Sequence, residues 1–140
     1  MCTSYPAFTE ETFLEDIKDW VDKGGAPIVV DPKSGWSLLH IAAEFQDLPA
    51  IEYLVGLGCD PNIRDEYGQT PLHIAVDSEI DGAIQTGEPL TYRTTMKLID
   101  LGAKLTIRNV NGETPFDWIN RYGELAREKF DEALHSRGES

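Results

Sequence analysis

Residues 68–76 read Gly68-Gln69-Thr70-Pro71-Leu72-His73-Ile74-Ala75-Val76. This order of residue types specifies a turn that passes directly into a helix. Thr70 is a capping residue. Pro71 at the first helical position has a fixed φ and lacks an N–H that the first turn leaves unpaired anyway. Leu72, Ala75 and Val76 then share one apolar stripe at helical spacing.

Two other stretches repeat the pattern. One is Gly35-Trp36-Ser37-Leu38-Leu39-His40-Ile41-Ala42-Ala43, the other Gly112-Glu113-Thr114-Pro115-Phe116-Asp117-Trp118-Ile119. Gly35 and Gly68 stand 33 residues apart, Gly68 and Gly112 44 residues apart. Leu57-Gly58-Cys59 and Leu101-Gly102-Ala103 repeat the 44-residue interval, and Gly25-Ala26 precedes Gly58-Cys59 by 33. Two sets of landmarks thus agree on a 33-residue period with an 11-residue insertion in the second unit.

The recurring motif resembles the ankyrin-repeat family, whose T-P-L-H signature is met by Thr70-Pro71-Leu72-His73 and whose repeat length is the observed period. The resemblance covers residues 10 to 135 and is closest to short, bacterial-type members. It implies an all-α repeat solenoid in which each unit is a short β-hairpin finger and two helices. Asp65-Glu66-Tyr67-Gly68 and Asn109-Val110-Asn111-Gly112 are the turn-formers expected at the finger tips. Ala42, Ala43 and Ala75 let paired helices approach closely. Leu98, Ile99 and Leu101 mark a second helix, and Gly58 and Gly102 its left-handed C-caps.

One domain results: an N-terminal capping helix over 10–25, repeat 1 over 32–64, repeat 2 over 65–108 and a C-terminal repeat or helical cap over 109–135. The insertion falls within about 77–91, between the helices of repeat 2. The capping helix carries Phe13, Leu14, Ile17, Trp20 and Val21. The C-terminal cap draws its apolar face from Phe116, Trp118, Ile119, Leu125, Ala126, Phe130 and Leu134. Ser136 to Ser140 are expected to be disordered. Asp117, where the motif has histidine, and Leu38, where it has proline, fall in terminal units, which are usually atypical.

Charge separates function classes. Twelve Lys and Arg stand against twenty-five Asp and Glu, a net charge of −13 over 140 residues. Such a surface repels nucleic acid and anionic lipid and attracts a basic partner. Acidic surfaces also simply keep a protein soluble. Cys2 and Cys59 read as reduced thiols. With no signal peptide and no apolar run approaching ~18 residues, the expected location is cytoplasmic.

Little supports catalysis. His40 and His73 occupy the motif histidine, which in ankyrin folds braces the turn. No serine or cysteine has histidine and acid at a recognisable spacing, there is no glycine-rich phosphate loop, and Asp60 disfavours a reactive Cys59. The expectation is a non-enzyme, a monomer without cofactor.

The insertion, Asp77-Ser78-Glu79-Ile80-Asp81-Gly82-Ala83-Ile84-Gln85-Thr86-Gly87-Glu88-Pro89, contains four acids and no base. One reading is a calcium loop: Asp77, Glu79, Asp81, Gly82 and Glu88 match the offsets of an EF-hand, with Ile84 at its apolar position. Glu79 departs from that pattern, and Gly87 and Pro89 flank the expected bidentate glutamate. Other readings are partner recognition by an inserted loop, or an inert lid.

The resemblance implies binding through finger tips and the exposed side of the inner helices. By position relative to the signature glycines these are Lys33, Ser34, Trp36, Glu44 and Phe45; Glu66, Tyr67, Gln69, Asp77 and Ser78; and Val110, Asn111, Glu113, Arg121 and Tyr122. Glu79 and Asp81 of the insertion join them, and Arg64 and Arg108 lie at finger bases. Trp36, Phe45, Tyr67 and Tyr122 are aromatic where packing does not require it, as at interface hot spots. Alanine at Trp36 or Tyr67 is expected to weaken binding by ~2 kcal/mol with the fold intact. The alternative is that Trp36 and Phe45 fold back on the core. The function implied is a protein-binding module. An immunity protein neutralising a basic toxin, a calcium-responsive regulator and a generic scaffold are its particular forms.

Overall fold

The computed structural model describes residues 10–28 and 30–138. They form seven helices: α1 (Phe13–Asp22), α2 (Leu38–Phe45), α3 (Leu48–Gly56), α4 (Pro71–Thr86), α5 (Arg93–Asp100), α6 (Pro115–Arg121) and α7 (Glu124–Gly138). The inner helices α2, α4 and α6 pack side by side. The outer helices α3, α5 and α7 pack behind them, and α1 packs on α3 as the outer helix of a partial first unit.

Each inner helix starts in the same way. Ser37, Thr70 and Thr114 hold extended backbone, and each side chain accepts the N–H three residues on. The residue three on, His40, His73 or Asp117, accepts the capping residue's N–H in return. Two unpaired donors are thus satisfied reciprocally. The departure at Asp117 leaves this capping intact. What aspartate lacks is the second arm. His40 Nε2 reaches the Gln69 carbonyl of the next finger (2.8 Å), and His73 Nε2 the Glu113 carbonyl (2.9 Å). Nδ1 accepts a backbone N–H in both, so Nε2 carries the proton and donates. Among the described residues no finger follows α7, so Asp117 has nothing comparable to hold.

The fingers are not β-hairpins. Among the described residues there is no strand, only one isolated bridge between Val30 and Ser37. The second and third fingers each close through two backbone bonds, Asp65 N–H to Gln69 O (2.9 Å) with Gly68 N–H to Asp65 O (3.0 Å), and Asn109 N–H to Glu113 O (2.8 Å) with Gly112 N–H to Asn109 O (2.9 Å). The side chains of Asp65 and Asn109 hold the intervening N–H groups. These Asx turns satisfy the backbone within a few residues and leave no ladder to extend. Between backbones, neighbouring fingers join through single bonds, Glu66 N–H to Ser34 O (3.1 Å) and Val110 N–H to Tyr67 O (2.9 Å).

Two apolar clusters form the core. One centres on Phe13, Ile17, Leu38, Leu39, Ile51, Leu54, Leu72 and Leu98. The other joins Val76, Ile80, Tyr92, Ile119, Ala126 and Phe130. Each large side chain so buried stabilises by about 1.5–3 kcal/mol before conformational entropy is subtracted. Leu125, expected on the apolar face of the C-terminal cap, is 67 % exposed instead. Residues 136–138, expected to be disordered, continue α7, while 139–140 lie outside the described residues. Cys59 is a free, buried thiol, and burial pushes its pKa up. Cys2 lies outside the described residues.

The insertion is mostly helix. α4 has 16 residues where α2 has 8, and it ends at Gly87 with φ 76°. Val76, Ile80 and Ile84 continue the helical period, which carries the chain two turns further before it turns back. Residues 88–91 then lead to Tyr92, itself left-handed at φ 54°, and α5 begins. No side chain of Tyr92 caps α5. The carboxylate of Glu79 does so from α4, accepting Thr94 N–H (2.9 Å), Thr95 N–H (2.9 Å) and the Thr95 hydroxyl (2.7 Å). The segment read as an EF-hand-like loop is thus mostly helical. Asp77, Glu79 and Asp81 lie on a helix, Glu88 follows its cap, and Glu79 is buried and fully engaged. Among the described residues no group of three or more acids, histidines or cysteines is placed to hold a metal ion.

Candidate protein-binding site

Many of the expected residues are exposed on the inner helices and finger tips. Glu44, Asp77 and Asp81 are exposed along α2 and α4. Ser78 Oγ donates to the Glu44 carbonyl (3.0 Å) and accepts from Gln46 Nε2 (3.2 Å), tying α4 to the end of α2. Tyr122, at the end of α6, donates its hydroxyl to Asp77 Oδ1 (2.7 Å). This bond, more than burial, pushes the Tyr122 hydroxyl up to about 12. The carboxyl of Glu44 is raised by partial burial, then by the like charges of Asp77 and Asp81. The row is thus acidic and mutually repulsive, and no described basic side chain pairs with it.

At the tips, Lys33 and Glu66 are exposed and Gln69 is half-buried. Tyr67 is 56 % and Val110 67 % exposed, on adjacent fingers joined by their backbones. Asn111 is exposed beside them, and Arg64 and Arg108 are exposed at the finger bases.

Other expected contacts turn inward. Trp36 donates Nε1 to Asp65 Oδ2 (3.0 Å) and stacks on His40 with centroids 5.7 Å apart, so it braces one finger against the next. Phe45 packs edge-on against Phe13 at 5.3 Å and closes the core beneath α1. Glu113 accepts Trp118 Nε1 (3.0 Å) and pairs with Arg121. Those partners hold its carboxyl below its ordinary value. Glu79 is the capping carboxylate described above. Of the four aromatics singled out by position, only Tyr67 and Tyr122 present a free face. Position relative to the signature glycine gives the side of the helix, while the polar partner across the fold decides whether a side chain lies against it.

A feature that the repeat pattern does not contain lies beside this surface. The extra turns of α4 and residues 88–90 face the start of α7 across an apolar notch of about 340 Å³. Ile84 and Leu125 form its walls, both 67 % exposed. The legible signal was the i, i+4 spacing of Ile80 and Ile84, masked by the acids between them.

Comparison with known proteins agrees with this architecture. Residues 10–109 match a family model described as ankyrin repeats in three copies. The chain is 38 % identical over 66 residues to protein phosphatase 1 regulatory subunit 12A of Mus musculus, covering 47 % of this chain and 6 % of that protein. It is 34 % identical over 76 residues to the Neurogenic locus Notch protein of Drosophila melanogaster, and 33 % identical over 76 residues to neurogenic locus notch homolog protein 1 of Homo sapiens. Each match covers 54 % of this chain and 3 % of the relative. The chain therefore spans only a small part of the length of these relatives.

Proposed function

Because this chain belongs to the ankyrin-repeat family, we propose that it is a non-catalytic protein–protein interaction module that takes a basic partner on its finger tips and inner helices. Ankyrin repeats act by offering an extended surface to another protein. The observation that carries the finer reading is a juxtaposition. An exposed apolar pair, Tyr67 and Val110, stands at the finger tips above the uncompensated acids Glu44, Asp77 and Asp81. An aromatic anchor beside a row of unpaired acids fits a partner with an apolar contact point in a basic surface. The net charge of −13 supports the same sign.

Affinity capture from native lysate with mass spectrometry, using the chain and its Tyr67→Ala variant at low and high salt, tests this reading. A basic protein held by the chain, lost with Tyr67→Ala and weakened as salt screens the charges, is the expected result. Capture that is indifferent to both removes it. An inhibitor of a basic toxin is the narrowest form of the proposal. Co-expression with such a toxin supports that form if growth is restored and removes it if toxicity is unchanged.

A further inference from the structure

We infer that the notch between the end of α4 and the start of α7 is a second docking site, which receives a short apolar segment of a partner protein flanked by Lys or Arg. The inference rests on the protein-binding reading above but concerns a different surface. Its origin is the helix extension: α4 outlasts α2 and α6 by about two turns, so its last residues have no inner helix beside them. Ile80 and Ala126 form the floor, Leu90 closes one end, and Ile84 and Leu125 stand up as walls. Two large aliphatic side chains, each two-thirds exposed across one cavity, are costly in water and gain most from an occupant that covers both. A small molecule would touch only their inner sides. A protein segment laid along the notch covers their outer sides as well, as an amphipathic helix does in a groove.

Charge decides which protein segment fits. Lys129 is the one basic side chain lining the cavity, and it already faces Glu132 at 3.6 Å. Glu88, on the opposite wall, makes no side-chain hydrogen bond or ion pair among the described residues. Asp77 and Asp81 lie on α4 about two turns and one turn before Ile84, bonded among the described residues to the neutral groups of Tyr122 and Gln85. The lining thus holds one acid and one already engaged base, and Asp77 and Asp81 on α4 tip the surrounding charge to negative, which favours basic flanks and opposes acidic ones. A second copy of the chain brings its own −13 charge and the same acidic surroundings, so self-association through this notch is disfavoured.

The test is selection of displayed random peptides on the full chain, followed by titration of the enriched peptides against variants. Ile84→Glu and Leu125→Glu alter exposed side chains, so the fold is expected to persist, and circular dichroism checks it. Both variants add negative charge, so any loss of a basic peptide reports apolar contact rather than electrostatics. The expected result is enrichment of peptides combining Leu, Phe or Met with Lys or Arg. These should bind each variant about tenfold more weakly and Tyr67→Ala as well as the parent. The proposal is overturned if nothing is enriched, if the enriched peptides are acidic, or if both notch variants bind them normally. Loss confined to Tyr67→Ala overturns the notch while leaving the finger-tip reading standing. A dimer seen by light scattering and dispersed by Ile84→Glu also overturns it, because the occupant is then a second copy.

Discussion

Glu79 caps a helix to which it does not belong: its Oε1 accepts both the backbone N–H and the hydroxyl of Thr95, near the start of α5, while Oε2 takes Thr94 N–H. The two N–H groups are the donors that a local serine or aspartate would satisfy in an ordinary helix start. The insertion displaced that local solution, and a carboxylate from the preceding helix replaced it. Truncation leaves three buried donors unpaired. Glu79→Ala is therefore expected to lose about 3 kcal/mol and Glu79→Gln, which keeps one acceptor, about 1 kcal/mol. Urea unfolding with an unchanged slope measures both.

The same carboxylate gives a pH signature. Burial raises its pKa above the ordinary 4.5, and the hydrogen bonds from Thr94 and Thr95 only partly oppose this. A folded-state value above the unfolded one means that the folded chain binds the proton more tightly. Its contribution is fully present below the ordinary value and is lost as pH rises through the raised one. The stability difference between the parent and Glu79→Gln should fall with rising pH across that window and then level off. A difference that grows with pH contradicts the assignment.

His40 carries the opposite sign. Burial lowers its pKa, although the bond to the Gln69 carbonyl opposes the shift. Protonating Nδ1 would set its N–H against the Ser37 N–H that it now accepts at 3.0 Å. Stability is present above the ordinary value of 6.5 and lost as pH falls through it toward the depressed one. His73 behaves alike, with burial again the first cause. His40→Asn retains an acceptor for Ser37 but is too short to reach Gln69. It should cost about 2 kcal/mol and remove part of the acid-side loss, leaving the part due to His73. Denaturant midpoints between about pH 7.5 and about 5.5 read both effects.

The repeat was legible because its physics is local. A capping hydroxyl, a proline and an apolar stripe specify a helix start wherever they recur, and Thr70-Pro71 shows this within two residues. The inward packing of α1 through Phe13 and Ile17 was legible for the same reason. What the sequence concealed were cross-element partners. Nothing adjacent to Trp36 announces Asp65, and nothing adjacent to Glu79 announces Thr95. The acids of the insertion looked like a solvated or metal-binding loop because charge drew attention from the Val76, Ile80 and Ile84 period. Leu125 counted as core by type, yet the extended α4 leaves it beside a notch instead of beneath a neighbour.

The joint between fingers can be weighed with two glycines of equal conformation. Gly35 and Gly112 have φ 74° and 77°, so alanine at either meets the same left-handed strain, about 1 kcal/mol. Their surroundings differ. A Cβ on Gly35 would stand 2.8 Å from the backbone nitrogen of Glu66 in the next finger, whereas one on Gly112 meets nothing within 4 Å. Gly35→Ala must push the fingers apart and break the Glu66 to Ser34 bond. It is expected to cost about 2 kcal/mol more than Gly112→Ala. Thermal unfolding of the two variants reads the difference directly, and equal losses would mean that the fingers are not coupled.

Tyr67 and Trp36 separate binding from folding. Both are aromatic residues beside a signature glycine, and position alone gives them one role. Trp36 holds Asp65 and lies on His40, so Trp36→Ala removes buried contact and a hydrogen bond. It should lower stability by about 2–3 kcal/mol, and any effect on binding is then confounded. Tyr67 is exposed, and among the described residues only its backbone is engaged, at the neighbouring finger and through Asp65. Tyr67→Ala should change stability by less than about 0.5 kcal/mol while weakening a finger-tip partner by about 2 kcal/mol. Calorimetric titration of the captured partner, set beside the unfolding curves of the same two proteins, resolves them. A Tyr67→Ala protein that keeps both its stability and its affinity would place the interface elsewhere on the molecule.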